Sequence, residues 1–309
     1  MTRRALVIGC GGTIGGAWIV AALSALCDEI DVEAGDFDIL QGTSAGAEMV
    51  TMIGGGIGAD ELVAMQRGEA ADPRLRAHLA DTPSSLPPLP VPWPPLNPGL
   101  LRSQSGLAAV TGVAPHGRGD AGWLQRLADG FTDGSWLPHP GARMVAFDID
   151  RGQRVAFGAP GAPAASVGEA LRASWGIPGW MPPVSIDGRR YVDGGARSTA
   201  SVDLIGVDEA DMVYVIAPMA STAGERAPGI GGAVENVLLR QPMSRTLRDE
   251  VAAVRARGTT VVAITPDSRD LAGLGANFMN RRHRRAAFEA AMLTAPAAVR
   301  AALAAQANR

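Results

Sequence analysis

Asp38-Ile39-Leu40-Gln41-Gly42-Thr43-Ser44-Ala45-Gly46-Ala47 reads as a strand, a sharp turn and the start of a helix. A short apolar run ends in Gly-x-Ser-x-Gly, and Glu48, Met49 and Val50 carry on as a helix. A turn this tight holds its central residue in a strained backbone conformation, and the small residues Gly42 and Gly46 let strand and helix approach closely. The serine hydroxyl is then presented at the carboxyl end of a sheet, with a helix N-terminus and its positive dipole beneath it. Ser44 is therefore the candidate nucleophile. In a chain with 39 glycines the same pattern also fits an ordinary turn, so the surrounding blocks must decide.

Upstream, residues 5–27 carry no charge and follow Arg3 and Arg4, a run long enough to cross a bilayer. Glycines 9, 11, 12, 15 and 16 divide that run into a strand over 5–8, a glycine loop, and a helix over about 16–27. With a second strand expected over 37–40, the pattern is β-loop-α-β, the unit of a parallel sheet buried on both faces. A cytoplasmic protein is expected, with peripheral membrane association left open. The loop fails the dinucleotide fingerprint: Gly-x-Gly-x-x-Gly needs glycine at Ile14 when counted from Gly9, and at Thr13 when counted from Gly11. What remains is a row of backbone N–H groups at a helix N-terminus, which suits a phosphate or the oxyanion formed when a serine attacks an ester. The oxyanion is the better fit, because the serine follows within one βαβ unit.

Composition narrows the classes. The 309 residues are 47% hydrophobic, ample for one α/β domain spanning 1–309. A net charge of −3 provides no polycation for nucleic acid. All 28 basic residues are arginine, which excludes a Schiff-base lysine, a Ser-Lys dyad and a P-loop lysine together. Cys10 and Cys27 lie in apolar surroundings and read as reduced core residues. No metal-ligand spacing appears and no cofactor is expected.

Further along, helices are expected over about 47–53 and 59–67, followed by a Pro-rich insertion at about 81–101. Proline removes backbone donors, so this stretch reads as an extended excursion, either a lid or acyl-chain wall or a passive surface insertion. Short helices over 103–130 precede two strands, 143–148 and 154–157, joined by a tight turn. Ser166 caps a helix over 166–174 with Glu169 at the capping-box position. Asp187-Gly188 turns a hairpin whose second strand delivers Asp193 into Gly194-Gly195. A C-terminal α/β extension, about 219–309, holds a strand over 261–265 and helices over 232–257 and 281–305.

Three blocks in this order resemble the patatin-like phospholipase family: the glycine loop from Gly9 to Gly16, Gly42-Thr43-Ser44-Ala45-Gly46, and Asp193-Gly194-Gly195 preceded by Ile186-Asp187-Gly188-x-x-Tyr191. Ala173-Ser174-Trp175-x-x-Pro178 and Pro182-Pro183-Val184 also match, so the resemblance covers roughly 4–218. It implies an α/β/α three-layer fold with a mainly parallel central sheet, and a Ser-Asp dyad without histidine. Carried over, Ser44 is the nucleophile and Asp193 the base. The amides of Gly11, Gly12 and Thr13 form the oxyanion hole, with Gly9, Gly15, Gly42, Gly46, Gly194 and Gly195 shaping the motifs. The implied substrate is a lipid ester, the implied activity a phospholipase, lysophospholipase or esterase working through an acyl-enzyme. Three positions depart from the family: Cys10 replaces a glycine, Ile14 stands where many members carry Arg or Lys, and Ser198 to Ser201 stand where an Asn is usual. Ser201 is the expected stand-in for that Asn.

The four histidines, His78, His116, His139 and His283, do not follow a strand in a glycine turn, and all four read as surface residues. An aspartate serves directly as base when partial burial raises its pKa. Two rivals stay open: a Ser-His-Asp α/β-hydrolase using one of these histidines, and a non-catalytic module binding a phosphate ligand. Arg281-Arg282-His283-Arg284-Arg285, the one dense basic run, reads either as a lipid-headgroup contact or as a solvated helix start.

Overall fold

The computed structural model describes residues 2–83, 94–132, 136–222 and 225–308. Strand β1 (Arg4–Ile8) leads through the glycine loop into helix α1 (Gly12–Ile30), and β2 (Ile39–Thr43) leads through Ser44 into α2 (Ala45–Gly54). Five helices follow: α3 (Ala59–Arg67), α4 (Pro73–Asp81), α5 (Leu100–Ser103), α6 (Leu107–Thr111) and α7 (Gly122–Phe131). Strands β3 (Ala142–Asp148) and β4 (Gln153–Phe157), helix α8 (Val167–Ser174), the hairpin β5 (Val184–Ile186) and β6 (Arg189–Asp193), and β7 (Met212–Ile216) come next. The chain closes with α9 (Gly229–Glu235), a π-turn (Asn236–Arg240), α10 (Gln241–Arg255), β8 (Thr260–Ile264), α11 (Ser268–Leu274) and α12 (Arg284–Ala307).

Strand β1 runs parallel to β2 on one side and β7 on the other, with β3 beyond β2 and β8 beyond β7, all parallel. Side chains alternate strictly between the two faces of this sheet. Leu6, Ile8, Leu40, Tyr214, Ile216 and Val262 join the main core with α1, α2 and α12, whereas Ala5, Val7, Ile39, Val213, Val215 and Val261 join a second core under α10. Both faces are covered, which is why these strands are mostly apolar. The architecture is the expected three layers with a mainly parallel sheet.

One edge of β3 is shared by two strands. β4 pairs antiparallel along Met144–Asp148 and occupies the other edge, so β2 and β6 must divide what is left. Thr43, the last residue of β2, pairs with Val145, and Asp193, the last residue of β6, pairs with Ala146. Two strands arriving from opposite directions thus end at adjacent positions of β3. Ser44 follows one end and Asp193 is the other.

Several expectations need correcting. Helix α1 starts at Gly12 rather than about residue 16, because Gly15 and Gly16 sit inside its first turns; a Cβ at Gly15 would lie 3.2 Å from the Pro218 ring, so the helix starts in close contact with the end of β7. Strand β2 runs to Thr43, beyond the apolar residues that marked it, since the buried Gln41 amide donates to the Ser201 carbonyl at 2.8 Å. Within the Pro-rich insertion, 84–93 lies outside the described residues, and Pro95 makes an isolated bridge with Pro115. The basic run is divided: Arg282 and Arg285 are exposed, whereas Arg281 and Arg284 are used inside the fold. Arg281 donates to the carbonyls of Leu79 and Thr82, and Arg284 to the Gln66 carbonyl at 2.9 Å, so two guanidiniums dock α12 onto α3 and α4.

Helix α1 and the segment Arg281–Ala307 are each long and apolar enough to cross a membrane, but α1 is buried along most of its length and packs on α12 as a core helix. Substituting Gly46→Ala should be severe, because the added Cβ would overlap the Ile8 carbonyl at the end of β1. A loss of roughly 2 kcal/mol or more in urea unfolding is expected from such overpacking against backbone; an unchanged midpoint would contradict the packing of elbow on glycine loop.

Candidate active site

The elbow is strained where the sequence pattern requires it. Ser44 adopts φ 57°, ψ −119°, a region L-residues rarely occupy, and the turn survives because its surroundings over-determine it. The Ser44 amide donates to Ser174 Oγ at 2.9 Å, and that hydroxyl donates onward to the Val145 carbonyl at 2.7 Å. Ser174, at the end of α8, therefore ties the elbow to β3. A Cβ at Gly42 would run into the backbone of Gly46 and Ala47, so the small residues are needed for contact, not for flexibility.

Asp193 is 5% exposed, and its Oδ1 accepts from the Gly195 amide at 2.7 Å. Burial pushes its carboxyl up to about 7, while hydrogen bonds from the Ser44 hydroxyl and the Gly195 amide pull it back. A carboxylate that is ordinarily ionised well below neutrality is thus poised near it, next to a serine. Gly194 abuts Val145 and Gly195 abuts Cys10, which packs the Asp-Gly-Gly loop between β3 and the glycine loop.

The amides of the glycine loop divide cleanly. Gly9 donates to Ile216 O at 2.8 Å, Cys10 to Thr199 O at 2.7 Å, Ile14 to Phe278 O at 2.9 Å and Gly15 to Gly11 O at 2.9 Å. Among the described residues, the amides of Gly11, Gly12 and Thr13 have no partner. Gly12 has φ +57°, and a Cβ there would meet Phe278 and Met279, so the loop is both left-handed and tightly covered at this point. The Gly11 and Gly12 residues line the main cavity with Ser44 and Asp193; Thr13 instead lines a small polar cavity behind the loop, beside Glu48 and His78.

That main cavity measures about 250 Å³. Its walls are apolar: Leu107, Val110 and Ala114 from one side, Ile177 and Pro178 above β6, Met219, Leu239 and Met243 opposite, and Phe278. Of the expected acyl wall at 86–101, residues 86–93 lie outside the described residues and 94–101 do not line the cavity, whose wall is built by α6 and the π-turn, which carry no motif. Trp180 stacks on Phe278 with ring centroids 6.1 Å apart at the cavity rim. Cys10 fills the cavity floor; burial and then the Asp193 charge push its thiol up to about 12, so it stays a neutral, unreactive filler.

No histidine is among the described residues lining this cavity. His78, expected at the surface, is buried: Nε2 lies 2.8 Å from Glu48 Oε1 and the ring stacks on Trp123 at 5.5 Å. His139 bonds Phe37 O and His283 bonds Gly273 O, each at 2.8 Å. Ser201, expected to stand in for the family's Asn, is bonded through its amide and not its hydroxyl. Ser198 Oγ accepts from the Ser201 amide at 2.9 Å, whereas the Ser201 hydroxyl is buried without a partner among the described residues. Nor do any three His, Cys, Asp or Glu among the described residues cluster to hold a metal ion.

A raised Asp193 pKa has a stability signature. Between about pH 4 and pH 7 the folded chain holds a proton that the unfolded chain has released, so stability falls as pH rises through that window. Asp193→Asn removes this cost, and should stabilise the fold on the order of 2–4 kcal/mol at pH 8 with the gain fading toward pH 4. Thermal melting at the two pH values checks it; no gain at pH 8 would contradict the buried, uncompensated carboxylate.

Comparison with curated proteins returns no match. Among solved structures the chain is similar to VipD from Legionella pneumophila, at 14% identity and a TM-score of 0.44, over 97% of this chain and 67% of that one. It is also similar to the acyltransferase domain of the iterative polyketide synthase in enediyne biosynthesis, at 17% identity and a TM-score of 0.29, over 95% and 71% of the two chains. Neither score bears on the fold or the site. The family model described as patatin-like phospholipase matches residues 6–205, which takes in the end of β1, the glycine loop, the elbow, Asp193 and the Ser198 loop. With more than half of its length matched, the chain belongs to the patatin-like phospholipase family.

Proposed function

We propose that the protein hydrolyses a lipid ester with a Ser44–Asp193 dyad. Membership of the patatin-like phospholipases places it among lipid acyl hydrolases at the level of the family. The observation that carries the finer reading is the junction on β3, where Ser44 and a carboxyl poised near pH 7 meet at the floor of an apolar cavity.

In this reading the Asp193 carboxylate takes the Ser44 proton as Oγ attacks the ester carbonyl. The unpartnered amides of Gly11 and Gly12, which line the same cavity as Ser44, receive the oxyanion, each donor being worth about 2.7–4 kcal/mol of barrier. Asp193 then hands its proton to the leaving alkoxide, which departs as the alcohol and leaves an acyl-Ser44 ester. Water, giving its proton to Asp193, attacks that ester, and the departing Ser44 Oγ takes that proton from Asp193, which releases the acid and restores free serine and carboxylate. The strain at Ser44 and the hydrogen bond from its amide to Ser174 hold Oγ in place through both half-reactions.

Apolar walls favour an acyl chain over a charged group, since no arginine lines the cavity among the described residues. That weighs against a phosphate-binding module. The triad rival loses support because His78, His139 and His283 are engaged elsewhere.

The pH profile tests this. Ionised Asp193 is the active form, so kcat/KM on a water-soluble short-chain ester should rise about tenfold per pH unit below 7 and level off above it. Asp193→Asn should cost about 10²–10⁴-fold at pH 8. A profile that is flat from pH 5 to pH 8, or an aspartate variant as active as the parent, would overturn the dyad.

A further inference from the structure

The cavity opens between two short elements whose inner faces wall it and whose outer faces are apolar and bare. On one side α6 contributes Leu107 and Val110 to the wall, yet Val110 is 62% exposed, and Leu101 and Val113 beside it are 53% and 47% exposed. On the other, Leu239 and Met243 point inward while Ile230, Val234, Val237 and Leu238 are between 52% and 85% exposed. Leu107 and Leu239 pack on the same small cluster of Cys10, Met219 and Met243 and line the same cavity, so both elements border it.

The second element is the more telling. Ile230, Val234, Val237 and Leu238 recur at i, i+4, i+7 and i+8, the spacing of a helix stripe that normally faces a core. Single exposed apolar residues need no explanation, but an ordered stripe on one face does. The stripe is also held rigidly in place. Arg240 and Glu235 are both buried and paired at 2.9 Å, and Arg240 donates to Pro218 O at 2.8 Å and Ala220 O at 3.1 Å. Residues five apart share a face in a π-turn and not in an α-helix, so the π-turn at Asn236–Arg240 makes this anchor geometrically possible.

Charge on these elements is one-sided. Acidic residues outnumber basic ones in the chain, 31 to 28, yet residues 94–119 contain no Asp or Glu and expose Arg102 and Arg118. Over 226–248 the one carboxylate is the buried, paired Glu235, and Arg226, Arg245 and Arg248 are exposed. The next carboxylates, Asp120, Glu225 and Asp249, begin just outside these stretches, and Glu225 borders a cavity with Arg245 and Arg248. An apolar stripe on elements whose own exposed charges are arginines, with carboxylates only at their margins, complements an anionic lipid surface, which offers headgroup charge outside and hydrocarbon beneath.

We propose that the outer faces of α6 and of the α9–π-turn element dock the cavity mouth onto an anionic lipid surface, so that an acyl chain passes from the bilayer into the cavity without crossing water. The inference rests on the lipid-hydrolase reading for what enters the cavity, but the docking itself is measured by binding alone. This surface is distinct from the Arg281–Arg285 run, part of which is used inside the fold.

The full chain should co-sediment with vesicles of phosphatidylcholine plus phosphatidylglycerol, more weakly with phosphatidylcholine alone, and less as salt is raised. A Val237→Asp/Leu238→Asp variant should bind the anionic vesicles at least about tenfold more weakly, melt like the parent, and turn over a soluble short-chain ester within about twofold of it. Arg226→Ser/Arg245→Ser should erase the preference for anionic over neutral vesicles. Parent-like vesicle binding by the aspartate variant would overturn the proposal, as would a parent that binds neither vesicle. So would a parent dimer that this variant converts to monomer with vesicle binding unchanged, which would make the face an interface between two copies. Should the parent bind vesicles through these residues but hydrolyse no ester, docking stands and the hydrolase reading falls.

Discussion

Everything in the site depends on how the edge of β3 is divided. Because β4 holds one edge along Met144–Asp148, β2 and β6 are forced to meet on the other, with Thr43 opposite Val145 and Asp193 opposite Ala146. Backbone hydrogen bonds thus set the spacing of the two side chains of the proposed dyad. Ser174 reinforces the same point, bridging the Ser44 amide to the carbonyl of Val145. A slip of one residue in either strand would turn the side chains to the opposite face and part the pair.

The second constraint is burial. Enclosing Asp193 in an apolar cavity destabilises the fold above neutral pH, and the same enclosure makes it a stronger base than an exposed carboxylate. A site built this way needs no imidazole and no cation, which fits a chain with Ile14 in the glycine loop and with His78 committed to Glu48 and Trp123. Its neighbours are inert by the same physics, as the thiol of Cys10 shows.

Much of this was readable in the sequence because it is local. Gly42 and Gly46 around Ser44, the Asp187-Gly188 turn ahead of Asp193, and the Ser166–Glu169 capping box each encode their geometry within a few residues, and the structure has the turn and the box. What the sequence hid depends on distant contacts. The burial of His78 comes from Glu48 and Trp123, the inward use of Arg281 and Arg284 from α3 and α4, and the cavity walls from α6 and a π-turn that no pattern marks. The end of β2 was obscured because Gln41, Gly42 and Thr43 are not strand-like by composition; their partners on β1 and β3 make them so.

The most direct test of the proposed dyad is covalent. Reaction with a fluorophosphonate, followed by mass spectrometry to locate the adduct, should place the label on Ser44, and Asp193→Asn should slow labelling by about 10² or more. Labelling elsewhere, or labelling of Ser44 at the same rate without the aspartate, would contradict the account.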